Sequence, residues 1–179
     1  MLQKYNKWRV LQAFFDNPLP EDGGFQLREL SRKTNLAPVS VKRYLKELLK
    51  EKMIVKSKHR VQGYPLYSAD RDHEKFRFYK KLNMYSLIAE TGLLDYLNNT
   101  CMPDTIILFG SAAKGEDLLE SDVDIFLLCN ATKLKLEPYE DKLGRKINII
   151  FSKEFSKLSG ELKNNIINGA ILSGYLKVF

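Results

Sequence analysis

The apolar positions of the first seventy residues fall into three helical stretches and a pair of β-prone runs. Residues 4 to 15 (KYNKWRVLQAFF) place Trp8, Leu11 and Phe15 at helical spacing, and the polar run DNPLPEDGG that follows stops the helix. From Phe25 the text FQLRELSRKT predicts a second short helix with Leu27 and Leu30 inward, closed by a turn at Thr34, Asn35 and Leu36. Pro38 suits the opening turn of a third helix, where its missing N–H costs nothing. In that helix Val41, Leu45 and Leu48 or Leu49 face inward, leaving Ser40, Lys42, Arg43 and Lys46 on the other side. MIVKSK and PLYSA, separated by a polar stretch containing Gly63, predict a β-hairpin.

Further along, residues 72 to 99 read as a helical connector, with Phe78, Leu82, Tyr85 and Ile88 or Ala89 on one stripe and a break at Gly92. The segment is too apolar for a flexible linker. Thr105 to Phe109 and the run opening at Asp122 predict buried strands, Lys146 to Phe151 (KINIIF) a later one, and AIL near the end a short last one. Helices are expected around 137 to 143, over Ser152 to Leu158, and over Glu161 to Asn168, the last closed by Gly169.

Charge sharpens this picture. Residues 1 to 70 carry 14 Lys and Arg against 7 Asp and Glu, whereas residues 71 to 179 carry 15 against 15. The entire +7 excess therefore sits in the first part of the chain, as a domain that approaches a polyanion requires. Three helices followed by a basic hairpin resemble the winged helix-turn-helix family over roughly residues 1 to 70. The resemblance implies that the third helix enters the major groove of duplex DNA and that the hairpin touches the flanking backbone or minor groove. Its contacts would come from Ser40, Lys42, Arg43 and Lys46, with Lys58 and Arg60 on the hairpin. A winged helix used for protein contacts is the competing use of the same pattern.

Other chemistry is sparse. Cys101 and Cys129 are the only cysteines, lie in no CxxC or His-rich cluster, and read as buried thiols. His59 and His73 stand without ligand partners in sequence. The opening MLQKYNKWRV lacks the apolar run of a signal peptide, and no stretch approaches a membrane span, so the cytoplasm is the expected compartment, with no membrane partner.

The strongest signal is TIILFGSAAKGEDLLESDVDIFLL, residues 105 to 128. Gly110 lets the backbone approach a phosphate closely, and Ser111 offers a hydroxyl and a cap for a following helix. Asp122 and Asp124, two apart on a strand, project from one face as a pair of hard oxygen ligands suited to Mg²⁺. Gly110, Ser111, Gly115, Ser121, Asp122 and Asp124 together resemble the nucleotidyltransferase superfamily of DNA polymerase beta and kanamycin nucleotidyltransferase, above all its minimal prokaryotic members. The resemblance runs from about residue 103 to the end. It implies a mixed sheet with flanking helices, an NTP bound at Gly110, Ser111 and Ser121, and Asp122 and Asp124 as metal ligands and catalytic residues, with Mg²⁺ as cofactor.

The family pattern also implies a third carboxylate on a later strand, completing a two-metal site. Here the matching position on KINIIF is Asn148, which carries no charge and cannot serve as a general base. Glu116, Asp117, Glu140 and Asp141 are the acids available to substitute, and Arg145 and Lys146 the cations that could reach a phosphate.

The expected architecture is thus α/β in two domains: a winged helix-turn-helix over 1–70, a helical connector over 71–100, and a minimal nucleotidyltransferase-like domain over 101–179. Two functions follow. One is a DNA-binding enzyme that transfers a nucleoside monophosphate from an NTP to a hydroxyl. The other is a transcriptional regulator or antitoxin-like protein whose degenerate nucleotidyltransferase domain serves as a nucleotide sensor or partner surface, toward a protein partner or a second copy.

Overall fold

The computed structural model describes residues 5–178 of the chain, so Lys4, where the first helical pattern opens, lies outside the described residues. The chain divides into two compact units, Met1–Lys80 and Lys81–Phe179. Among the described residues no helix is long and apolar enough to cross a membrane.

In the first unit, α1 (Asn6–Asp16), α2 (Leu27–Thr34) and α3 (Pro38–Lys50) precede a hairpin of β1 (Ile54–Lys58) and β2 (Pro65–Ala69). The helices form where the apolar spacing places them. Leu11 and Phe15 of α1, Leu30 of α2, and Val41, Leu45 and Leu48 of α3 are all buried in one core. Trp8 packs against that core edge-on to Phe15, with ring centroids 5.6 Å apart. Asn35 ends α2 in the left-handed region (φ 50°), and Pro38 occupies the first turn of α3. The hairpin is antiparallel, pairing Ile54 with Ala69 and Lys58 with Pro65. Burying Leu45 and Leu48 turns the opposite side of α3 outward, so Lys42, Arg43 and Lys46 are exposed, as are Lys58 and Arg60, while Ser40 is half-buried. The Arg43 guanidinium lies over the Tyr44 ring, 4.8 Å from its centroid.

A long helix, α4 (Glu74–Thr91), contains the division between the units, and α5 (Leu93–Cys101) follows it after Gly92, whose φ of +80° breaks the helix. The segment read as a connector, 71–100, falls on both sides of that division. Its buried positions follow the expected stripe only in part, with Ile88 buried and Tyr85 packed against the same core. Phe78 is 54% exposed, whereas Phe76 is buried in the first unit's core and Met84 and Ile88 in a core of the second. A helix that serves two cores has no single amphipathic stripe, and Lys80 and Asn83 are buried between those apolar contacts.

The second unit is built on a four-stranded mixed sheet, order β5-β4-β3-β6, of β3 (Thr105–Phe109), β4 (Val123–Leu128), β5 (Ile147–Ser152) and β6 (Ala170–Gly174). β4 pairs with β5 in parallel and the other pairings are antiparallel. The period-2 alternation of these strands separates two cores. Ile106, Leu108, Val123, Ile125 and Ile147 face one way, with Leu93 and Leu97 of α5. Ile107, Phe109 and Phe126 face the other, with Ile166 of α8 (Gly160–Ile167), the helix that follows α6 (Gly110–Lys114) and α7 (Glu137–Leu143). The expected helix over Ser152 to Leu158 is instead the end of β5 and a 3₁₀ turn at Phe155–Lys157. The Ser152 hydroxyl donates to the Glu154 carbonyl and accepts from the Glu154 N–H, a local arrangement that competes with helix.

Cys101 and Cys129 are both half-buried free thiols that pack against the second unit's core. Burial, followed by the neighbouring Cys101 sulfur, pushes the Cys129 thiol up to about 11, and burial raises Cys101 as well. Cys129 is therefore a protonated packing group at neutral pH, unsuited to nucleophilic work.

Candidate functional site

The site is a row across the sheet. Phe109 pairs with Asp124 and Asp124 with Asn148, so the last residue of β3, the second of β4 and the second of β5 lie side by side. Directly opposed residues share a face, and the face here is that of Phe126 and Ile107. Asp122, two residues before Asp124, sits just ahead of β4 and is exposed; Asp124 is half-buried. The sequence placed both carboxylates on one face, and the register adds Asn148 to them.

Gly110 follows Phe109 immediately and turns the chain with φ +73°. A Cβ built on Gly110 would lie 2.6 Å from Asp124 Oδ2. Two requirements therefore converge on glycine: a left-handed backbone, and a carboxylate that occupies the space a side chain would need. α6 (Gly110–Lys114) starts at this glycine with Phe109 as its N-cap, two residues earlier than a Ser111 cap requires, so Ser111 stands inside the helix and does not cap it. Its half-buried hydroxyl lies next in the chain to the glycine that faces Asp124. Gly115 closes the helix at φ +71°.

Ser121 has a different environment. Its Oγ accepts the Leu118 N–H at 2.8 Å and its own N–H donates to the Leu118 carbonyl at 3.1 Å. The hydroxyl thus closes the turn that delivers Asp122 and Asp124 to β4.

Asn148 Nδ2 donates to Asp124 Oδ1 at 2.9 Å. The amide takes the place beside Asp124 where a carboxylate would repel it, so the pair is stable without a cation between them. The acids that could substitute for a third carboxylate are largely engaged elsewhere. Asp117 is buried and its Oδ2 accepts from Arg145 Nη1 at 2.6 Å. Glu140 accepts the Ile147 N–H at 3.0 Å and the Lys146 ammonium at 2.9 Å, and these two bonds, the backbone one first, hold its carboxyl below the usual range. Glu116 and Asp141 are exposed.

Arg145 and Lys146 are accordingly occupied by carboxylates. The Arg145–Asp117 pair ties the loop between α6 and β4 to the entry of β5, and the Val123 N–H donates to the Lys146 carbonyl at 2.8 Å beside it. Sequence reading gave this pair no special weight, because its members are 28 residues apart and meet only once β5 lies alongside β4.

Among the described residues no group of three or more His, Cys, Asp or Glu is placed to hold a metal. Mg²⁺ is commonly bound by one or two carboxylates together with substrate phosphates and water, rather than by an all-protein cage. Asp122 and Asp124 fit an ion that arrives with a nucleotide.

No match to the chain is found among curated proteins or solved structures. Residues 94–173, which contain Gly110, Ser111, Ser121, Asp122, Asp124 and Asn148, match the family model of the nucleotidyltransferase domain, and it is to that family that this part of the chain is similar.

Proposed function

We propose that the chain is a DNA-binding protein whose second unit binds an NTP with Mg²⁺ and transfers its nucleoside monophosphate to an acceptor hydroxyl slowly, through a site lacking its third carboxylate. The observation that carries this reading is the setting of Asp124: a glycine, Gly110, that leaves room for it, and an amide, Asn148, bonded to the same carboxylate. Asp122 and Asp124 would hold the ion, and Gly110 and Ser111 would seat the triphosphate. Bound Mg²⁺ would neutralise phosphate charge and favour in-line displacement. Gly110 admits the phosphates close to the backbone, Ser111 and Ser121 keep hydroxyls to offer them, and Ser121 fixes the turn that aims both aspartates.

Deprotonating the acceptor is the step the site supports least. Asn148 cannot accept a proton, and Asp117 and Glu140 are committed to Arg145 and to Ile147 and Lys146. A missing base costs about 10²–10⁴ in rate. The same observation favours a second reading, in which turnover is lost and the unit senses nucleotide for a regulator or antitoxin-like protein. Asn148→Asp separates the two: restoring charge and basicity is expected to raise Mg²⁺-dependent transfer of labelled nucleotide at least about tenfold. A wild-type rate of ordinary enzymatic size, unchanged in Asn148→Asp and abolished by Glu116→Gln, would instead place the missing acid at Glu116.

DNA binding rests on the charge excess of residues 1 to 70 and on the exposed face of α3 with Lys42, Arg43 and Lys46. In gel shifts of the full chain on duplex DNA, binding is expected to weaken steeply with salt, and Arg43→Ala or Lys46→Ala each to lower the log–log salt slope by about one. Retention that ignores salt, or none at low salt, would contradict it.

A further inference from the structure

The first unit contains a pocket of about 320 Å³ that the DNA-binding surface does not use. Its walls are mainly apolar: Trp8 and Leu11 of α1, Leu48 of α3, Met53, and Tyr79 of α4, with Tyr5 at the mouth. Three of these are aromatic, and Trp8 and Tyr79 meet edge-on at 5.9 Å between ring centroids. The volume lies at the lower end of the about 300–1,000 Å³ usual for small-molecule sites.

One edge is polar. Lys7 pairs with Glu51, both of them lining residues, and also with Glu47 at 3.4 Å. Glu51 in turn pairs with Lys75 at 3.1 Å, and Lys75 lies 5.9 Å from the Tyr79 ring centroid. Two ammonium groups thus meet two carboxylates, and among the described residues these charges balance. Burial pulls the Lys7 pKa down, but the Glu51 and Glu47 carboxylates outweigh it and hold the ammonium above its usual range; Glu51, bonded first by Lys7, is held below its own. Both groups stay ionised and mutually satisfied at neutral pH. A charged ligand would have to break these pairs or bring its own charge against apolar walls without compensation, which is costly. A neutral one can stack on the rings and place a single polar atom toward the Lys7–Glu51 edge.

We propose that this pocket binds a neutral, planar, fused-ring aromatic small molecule, held between Trp8, Tyr5 and Tyr79 with one polar edge toward Lys7 and Glu51. Leu48 and Glu51 lie at the C-terminal end of α3, so an occupant touches the helix whose other face carries Arg43 and Lys46. The site is independent of the nucleotide reading, and its test does not involve the second unit.

Trp8 is the only tryptophan of the chain, which gives the pocket its own reporter. The full chain is titrated with N-phenyl-1-naphthylamine, an uncharged fused-ring aromatic whose emission rises in apolar sites and which accepts energy from tryptophan. Saturable one-to-one binding is expected, with loss of Trp8 emission in step with the rise of the probe. Tyr5→Ala, at a side chain 70% exposed and so harmless to folding, is expected to weaken binding about three- to tenfold, the worth of one aromatic contact. Non-saturable uptake, saturation that leaves Trp8 emission unchanged, or equal affinity in Tyr5→Ala would each overturn the proposal.

Discussion

Arg145→Ala is expected to lower the stability of the second unit by about 3–5 kcal/mol, the usual effect of removing one partner from a buried ion pair. Asp117 is 1% exposed and the Arg145 side chain 10%, so neither charge is well screened by water. Losing the guanidinium leaves the Asp117 carboxylate in a low-dielectric setting without its 2.6 Å ionic contact. Urea unfolding followed by far-UV circular dichroism measures the loss, while Trp8 fluorescence follows the first unit separately. Replacing both residues by leucine is expected to recover most of the stability, because the desolvation penalty disappears together with the attraction. A loss below about 1 kcal/mol in Arg145→Ala would mark the pair as solvent-screened. The consequence reaches the site, since this pair anchors the loop that leads into Asp122 and Asp124.

Gly110→Ala is expected to weaken Mg²⁺-dependent nucleotide binding about ten- to hundredfold, by displacing a ligand rather than removing one. The new Cβ would fall 2.6 Å from Asp124 Oδ2, and the left-handed backbone adds about 1–2 kcal/mol of strain. The strain is borne by any background, whereas the steric term needs Asp124. In a double-mutant cycle with Asp124→Ala the two substitutions should therefore fail to add, their interaction measuring the clash. Strict additivity in nucleotide affinity would show that Gly110 acts through the backbone alone.

How much of this was legible in the sequence depends on the range of the interaction. Gly110, Asp122 and Asp124 were legible because a tight turn after an apolar strand and two acids at period 2 are local patterns. Asn148 was legible because it is the central polar position of the apolar run KINIIF; only the register, Asp124 opposite Asn148, puts the two in contact. The Arg145–Asp117 pair was not legible, because nothing local distinguishes it from surface charge. The bond from the Leu118 N–H to Ser121, which shapes the turn, was not legible, because it depends on the conformation of the loop. The stripe expected on α4 holds at Tyr85 and Ile88 and breaks at Phe78, because the helix contributes Phe76 to one core and Met84 and Ile88 to another. The helix expected over Ser152 to Leu158 gives way to the pairing of Ser152 with Leu128 and to the local bonds of the Ser152 hydroxyl.

Asp122, Asp124 and Gly110 are expected to form one site for Mg²⁺ and an NTP together. Isothermal titration of the full chain with a non-hydrolysable NTP, with and without Mg²⁺, tests it most directly. Saturable heat is predicted only when Mg²⁺ is present, and it should vanish in the Asp122→Ala, Asp124→Ala double variant. No heat with any NTP, or heat that persists without Mg²⁺ and survives loss of both aspartates, would contradict the claim and leave the second unit as a scaffold.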